Sequence, residues 1–167
     1  MAFVYPHQIR FHETDGAGVI YFANVLTLCH EAYEASLAAV AIDLGQFFDP
    51  HGSRSGMAVP IVHADVDFFR PMRCGDRILI QLTPQRLKPS EFEIRYQIWP
   101  EPPSTRPSSV PEQALKQAET YAPRPLAQAT TRHVCIAVGN SSEGSRRDRS
   151  RTPLSPDLDR WLQLWQR

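Results

Sequence analysis

The sequence predicts an α+β fold in which an antiparallel sheet packs against one long helix. Three observations carry that reading. Phe3, Tyr5, His7, Ile9 and Phe11 alternate with Val4, Pro6, Gln8 and Arg10, the period-two pattern of a strand with one buried face. From about Tyr21 to Leu44 the period becomes helical, with Thr27, His30, Glu31 and Glu34 as one polar stripe on an otherwise apolar surface. Four further strand-like segments follow, and four sequential strands suggest an antiparallel meander against which so apolar a helix must lie.

Each element has its own punctuation. Thr14-Asp15-Gly16-Ala17-Gly18 ends the first strand with turn chemistry, and Gly45 is the expected stop of the helix. After a Gly-, Ser- and His-rich loop from Asp49 to Gly56, Val62, Ala64, Val66 and Phe68 share one strand face while His63, Asp65, Asp67 and Phe69 share the other. Ile78, Ile80 and Leu82 mark the next strand, Phe92, Ile94, Tyr96 and Ile98 the third, and Leu126 to Val138 the fourth. Seven of the 15 prolines fall between Pro100 and Pro125, so a proline-rich insertion at about 100–125 is expected. Its polar composition predicts an extended or mobile hairpin connection with a short helical turn around Glu112 to Thr120. Gly139 to Thr152 is a second solvated stretch, with Arg146, Arg147, Arg149 and Arg151 clustered. Ser155 can then cap a C-terminal helix at about 156–166, with Pro156 in its first turn. Leu158, Trp161, Leu162 and Trp165 fall on one face of that helix, so it should dock on the body.

Composition bounds the function. A chain of 167 residues suits a single domain over 1–167 with a sizeable core. Eighteen basic and 18 acidic residues leave no net charge, so no global attraction to nucleic acid is expected. The three cysteines, Cys29, Cys74 and Cys135, form neither a disulfide framework nor a zinc ribbon, which fits a reducing cytoplasm. Neither a signal peptide nor an apolar membrane span is visible, so no membrane partner is expected.

The stretch Arg10-Phe11-His12-Glu13-Thr14-Asp15-Gly16-Ala17-Gly18-Val19-Ile20-Tyr21-Phe22-Ala23-Asn24 resembles the opening motif of the hotdog-fold acyl-CoA thioesterases of the 4-hydroxybenzoyl-CoA thioesterase family. Pro60 to His63, Phe68 to Pro71 and Gly75-Asp76 match a second block of that family, and Arg151 to Pro156 its basic, proline-containing exit. The resemblance implies the hotdog fold, a curved antiparallel sheet wrapped around a long central helix. Cys29 to Leu37 and Thr131 to Cys135 are most similar to the 1,4-dihydroxy-2-naphthoyl-CoA hydrolases of photosynthetic bacteria. The implied reaction is hydrolysis of an aromatic acyl-CoA thioester, with that naphthoyl thioester, an intermediate of phylloquinone synthesis, as the expected substrate. Two other readings stay open: a broader hydroxybenzoyl- or short-chain acyl-CoA thioesterase, and a non-catalytic module that binds acyl-CoA or acyl-carrier protein.

Thioester hydrolysis needs a nucleophile or a base beside the acyl carbon and donors at the carbonyl oxygen. A carboxylate on a turn before a helix, with the helix's free N–H groups, offers both. Read from spacing alone, Thr14-Asp15-Gly16 is more often just a turn or a helix cap. The resemblance puts Asp15 in the catalytic position and the Phe22 backbone N–H on the thioester oxygen, with Tyr21 and Asn24 in the substrate site. Gly16 and Gly18 lack the third glycine of a dinucleotide fingerprint and the Lys-Ser/Thr of a P-loop. His63 is either a hydrogen-bonded strand residue or a contact to an aromatic hydroxyl of the acyl group. In relatives the connection holding Lys88 and Ser90 lies over the nucleotide end of coenzyme A, and Arg70 and Arg86 are further cations; for each the alternative is a solvated surface charge. His133 and Cys135 share a strand face but lack a second ligand pair, and the family's hydrolysis implies no metal. No cofactor is implied, since coenzyme A arrives as part of the substrate. The open sheet edge of such a unit implies self-association as a homodimer or homotetramer.

Overall fold

The computed structural model describes residues 2–49, 56–102, 111–121, 124–138 and 150–166. Strand β1 (Phe3–Gln8) leads through a single 3-10 turn at Phe11–Glu13 to helix α1 (Phe22–Ala38) and a short helix α2 (Leu44–Phe47). Strands β2 (Met57–Ala58), β3 (Ile61–Phe68), β4 (Arg77–Lys88) and β5 (Glu91–Pro100) follow. Helix α3 (Pro111–Tyr121), strands β6 (Ala127–Val134) and β7 (Ile136–Ala137), and helix α4 (Pro156–Trp165) complete the chain. The main sheet is antiparallel throughout, in the order β1-β4-β5-β6-β3, and β2 pairs with β7 apart from it.

The meander therefore holds only for β4, β5 and β6. Strand β3 pairs with β6 at the far edge, and β1 takes the place beside β4. The β3–β4 connection is anchored elsewhere, which prevents a hairpin. Ile20 N–H donates to the Met72 carbonyl at 2.8 Å, Gly75 N–H to the Ile9 carbonyl at 2.9 Å, and Ile9 N–H to the Asp76 carbonyl at 2.9 Å. The link thus crosses the end of the sheet and buries Met72 completely.

Helix α1 buries Val25, Leu28, Cys29, Ala32, Tyr33, Ser36 and Leu37, the i, i+3, i+4, i+7 face of one stripe. It contacts both edge strands, β1 and β3. Those edges would stand ~19 Å apart in a flat sheet, against ~10–12 Å for the width of a helix, so the sheet curls around α1. The polar stripe faces outward, with His30 Nε2 3.3 Å from Glu34 and the Tyr5 hydroxyl donating to Glu31 at 3.5 Å.

Helix α1 stops at Ala38, short of the Leu44 that the periodicity predicts, and Gly45 lies inside α2. Ala41 turns the chain in the left-handed region at φ 60°. Ala41 N–H then donates to Ala38 C=O at 2.9 Å and Ile42 N–H to Leu37 C=O at 3.2 Å, which folds Ile42 back onto the core beside Leu37. Burying Ile42 outweighs the cost of a left-handed alanine. Ala41→Gly should remove that cost of ~1–2 kcal/mol while increasing the entropy of the unfolded chain, for a net gain of ~0.5–1 kcal/mol. Thermal denaturation should show Tm raised by ~2 °C; an unchanged or lower Tm would mean the left-handed turn carries no strain.

The helical turn expected in the proline-rich insertion around Glu112 to Thr120 is present, as a full helix that packs on the sheet. Helix α3 spans 11 residues, and its Ala114, Leu115 and Ala118 pack on Val4, Leu79 and Trp99. These form a second small core on the outer face of β1, β4 and β5. Residues 103–110 of the insertion, the arginines at 146, 147 and 149, and most of the Asp49–Gly56 loop lie outside the described residues.

Helix α4 begins as its cap predicts, with the Ser155 hydroxyl accepting from Leu158 N–H at 3.3 Å. Leu158, Trp161 and Leu162 are buried, and the Trp161 indole N–H donates to Ser36 Oγ at 2.9 Å. Deep in the same core, His133 stacks on Phe92 with ring centroids 4.7 Å apart, and its Nε2 lies 2.9 Å from Thr131 Oγ1. Burial, with the nearby charge of His30, pushes its pKa down to about 3. An unfolded chain takes up a proton at this histidine below about pH 6.5, and the native state refuses it until about pH 3. Stability should therefore fall across that window as the solution is acidified. Urea midpoints at pH 7 and pH 5 should differ by more in wild type than in His133→Gln, and equal differences would contradict this account.

Candidate active site

The segment between β1 and α1 is a compact loop closed on itself. Thr14 and Ile20 form an isolated antiparallel bridge, and Asp15 N–H donates to the Val19 carbonyl at 2.8 Å. Gly18 N–H returns to the Asp15 carbonyl at 3.0 Å, at φ 74°, a conformation that an L side chain strains. Asp15 Oδ1 accepts Ala17 N–H at 2.8 Å, while Oδ2 has no partner among the described residues. The carboxylate is thus oriented by one oxygen and free at the other.

Asp15 lines a pocket of about 360 Å³ together with Phe22, the first residue of α1. Phe68 and Phe69 from the end of β3, and Arg70, Pro71 and Met72 from the following link, form the opposite wall. The N-cap of α1, Tyr21, places no side chain on the helix's free N–H groups, so that of Phe22 is available for a ligand. Arg70 is held by its Nη2 donating to the Arg124 carbonyl at 2.7 Å, and the Arg124 guanidinium lies 5.6 Å from the Phe69 ring centroid. The result is an aromatic slot with a carboxylate, a helix N-terminus and a guanidinium on its walls, suited to a flat acyl group.

The other residues named from the sequence stand farther away. Tyr21 packs against the Phe22 ring at 4.6 Å but does not line the pocket. Asn24 spends its side-chain amide on the Glu13 carbonyl at 2.9 Å. His63 is exposed on the β3 edge and pairs with Asp65 at 3.0 Å. The register Phe68–Ala127–Ile98 puts the pocket level with Ile98. Ser90, eight residues from Ile98 along β5, is ~26 Å away in the same protomer. Lys88 pairs with Glu91 at 3.4 Å, Arg151 reaches the same carboxylate at 3.0 Å, and Arg86 is engaged by Asp159.

Sequence reasoning missed Glu13. Its side chain is buried, both carboxylate oxygens lie 3.0 Å from His7 Nε2, and one accepts Arg10 N–H at 2.6 Å. Its position two residues before Asp15 was visible in the motif, but nothing in the pattern signals that it is buried. Cys29 and Cys135 are buried, and burial pushes their thiols up to about 12 and 11, away from nucleophilic use. No cluster of three metal-ligating side chains occurs among the described residues, and no helix among them is long and apolar enough to cross a membrane.

Residues 9–162 match the family model of the thioesterase-like superfamily. The chain belongs to that superfamily. It is 45% identical over 158 residues to the 1,4-dihydroxy-2-naphthoyl-CoA hydrolase of Rippkaea orientalis, covering 95% of this chain and 93% of the relative. Identity to the enzyme of the same name from Trichodesmium erythraeum is 43% over 166 residues, 99% of each chain. Among solved structures, the 1,4-dihydroxy-2-naphthoyl-CoA thioesterase of Synechocystis superposes with a TM-score of 0.72 at 31% identity, covering 97% of this chain and 96% of that one. The hotdog fold expected from the opening motif is thus the fold of this chain.

Proposed function

We propose that this protein hydrolyses 1,4-dihydroxy-2-naphthoyl-CoA to the free naphthoate and coenzyme A, in naphthoquinone synthesis. The observation that carries the reading is that Asp15 and the N-terminus of α1 line one aromatic pocket together. The names of relatives more than 40% identical support the choice of acyl group.

With the aromatic acyl group between Phe22, Phe68 and Phe69, the thioester oxygen points at the Phe22 N–H. The Asp15 carboxylate either attacks the acyl carbon, giving a mixed anhydride that water then opens, or takes a proton from water as its oxygen adds to that carbon. Negative charge developing on the former carbonyl oxygen is held by the Phe22 N–H and the helix dipole. Collapse expels the coenzyme A thiolate, which takes its proton from the Asp15 carboxyl in the general-base route and from solvent in the anhydride route. Label appearing in Asp15 after a single turnover in ¹⁸O-water identifies an anhydride opened at the Asp15 carbonyl, because the general-base route puts water oxygen into the product acid alone.

The distance from the pocket to Lys88 and Ser90 is accounted for by a second copy. Strand β3 is an open edge on which Ile61, Val62 and Phe68 are 43%, 55% and 46% exposed. Two copies pairing antiparallel through β3 about a two-fold axis set the Phe68 end of one against the Ile61 end of the other. The register of β3, β6 and β5 puts the Lys88–Ser90 turn at that Ile61 end. The second copy then brings Lys88 and Ser90 toward the nucleotide half of the substrate, and His63 toward the acyl pocket.

The test is thiol release from dihydroxynaphthoyl-, hydroxybenzoyl-, phenylacetyl- and alkanoyl-CoA, with sedimentation of the same sample. A marked preference for the naphthoyl thioester by a particle of at least twice the 18.9 kDa chain mass supports the reading. Turnover of none of the panel despite coenzyme A binding would favour a binding module, and a monomer at micromolar concentration would remove the second-copy account.

A further inference from the structure

One buried carboxylate beside the catalytic loop has no part in the chemistry above. Glu13 is only 8% exposed, and a carboxylate removed from water to this extent is retained only when it is paired and hydrogen-bonded. Its side chain grips β1, through His7 Nε2 at 3.0 Å from both oxygens, and accepts the Arg10 N–H at 2.6 Å. Its backbone carbonyl faces the other way and accepts from two groups at the start of α1, Tyr21 N–H at 2.8 Å and Asn24 Nδ2 at 2.9 Å. Glu13 therefore sits between the first strand and the helix N-terminus, two residues before Asp15.

The Asp15 loop is a closed unit, tied to itself by the Thr14–Ile20 bridge and to the rest of the chain by the Ile20–Met72 hydrogen bond at its far end. At its near end the attachment is Glu13. Resting on the assignment of Asp15 and the Phe22 N–H as the reacting groups, we propose that Glu13 is the positioning residue of the active site. Its side chain fixes residue 13 on β1, and its carbonyl fixes the first turn of α1, so the two together set the separation between the Asp15 carboxylate and the Phe22 N–H. Loss of the side chain frees the peptide that both catalytic elements hang from. Misplacement of reacting groups by about 1 Å can cost ~10²-fold in rate.

The groups around Glu13 keep it an acceptor at neutral pH. Desolvation raises its pKa, but the Arg10 N–H, the hydrogen bond and charge of His7 and the charge of His12 outweigh that and hold it below the ordinary carboxylate value. A permanent acceptor is what a fixed clamp requires.

The experiment compares wild type, Glu13→Ala, Glu13→Gln and Asp15→Asn in thiol release from dihydroxynaphthoyl-CoA, well below each variant's Tm. Glu13→Ala should lower kcat by ~10–100-fold with KM within about twofold, because Glu13 touches neither the acyl slot nor coenzyme A. Glu13→Gln keeps one oxygen for the Arg10 N–H and should recover most of that loss. A purely structural role would lower Tm and leave kcat of the folded enzyme alone. Wild-type kcat in Glu13→Ala, or a change in KM only, while Asp15→Asn is inactive, would overturn the proposal. Wild-type kcat in Asp15→Asn would instead overturn the assignment on which it rests. Should Glu13→Ala fail to fold, His7→Ala releases the same clamp from the strand side, and wild-type kcat there would equally overturn it.

Discussion

Asp15→Asn should lower kcat for thioester hydrolysis by ~10²–10⁴-fold while leaving the fold and the melting temperature near wild type. The size of the effect follows from the chemistry. A neutral amide neither attacks an acyl carbon nor takes a proton from water at neutral pH, whereas the Phe22 N–H and the aromatic walls remain to bind the substrate. KM should accordingly change little. The fold is spared because Asp15 is exposed and its one structural bond, from Ala17 N–H to Oδ1, has an equivalent acceptor in asparagine. A variant that keeps more than about a tenth of wild-type kcat would show that Asp15 is a turn residue, and water activation would have to come from another group. Equal losses in kcat and in Tm would show that the loop, not the carboxylate, is what the substitution damages.

Trp161→Ala should give the largest loss of stability of any single change discussed here, ~3–5 kcal/mol. The indole is fully buried between Tyr33 and Phe92, with ring centroids 5.5 Å and 5.6 Å away. Its N–H is the hydrogen bond that joins α4 to Ser36 of α1. Truncation leaves a cavity lined by large aromatic side chains that cannot collapse into it without breaking their own packing. At ~2–4 °C per kcal/mol for a chain of this size, Tm should fall by ~10 °C or more. Trp161 does not line the Asp15 pocket, so kcat measured below the transition should match wild type. A loss below ~1 kcal/mol would mean that α4 is peripheral to the core.

Much of the fold can be read from local pattern because it is built from local pattern. The alternation of Ile78, Ile80 and Leu82, and of Phe92, Ile94, Tyr96 and Ile98, recurs as fully buried side chains on β4 and β5. The cap and apolar face of α4 are where Ser155, Leu158, Trp161 and Leu162 put them. Asp15 is conspicuous for a related reason: a carboxylate between turn glycines, followed by a helix, is a short-range arrangement, and the slot does form beside it.

What local pattern left undetermined involves partners far away in the chain. Strand β3 could have paired with β4, its neighbour in sequence, but Met72 and Gly75 are tied to Ile20 and Ile9 instead, and β3 pairs with β6. Ala41 carries no mark of a left-handed turn, and the chain turns there, three residues past the end of α1, because Ile42 gains more from the core than the turn loses. The helical turn expected around Glu112 to Thr120 forms, but its packing as a second core is decided by the surface that Val4, Leu79 and Trp99 offer to Ala114, Leu115 and Ala118. Glu13 looks like an ordinary surface acid until His7 and the start of α1 close over it. Period and turn chemistry thus specify which stretches become strands and helices, and they point to the carboxylate proposed to react. Strand order, helix length and the grip on that carboxylate come from contacts whose energy depends on residues that meet only after the chain has folded.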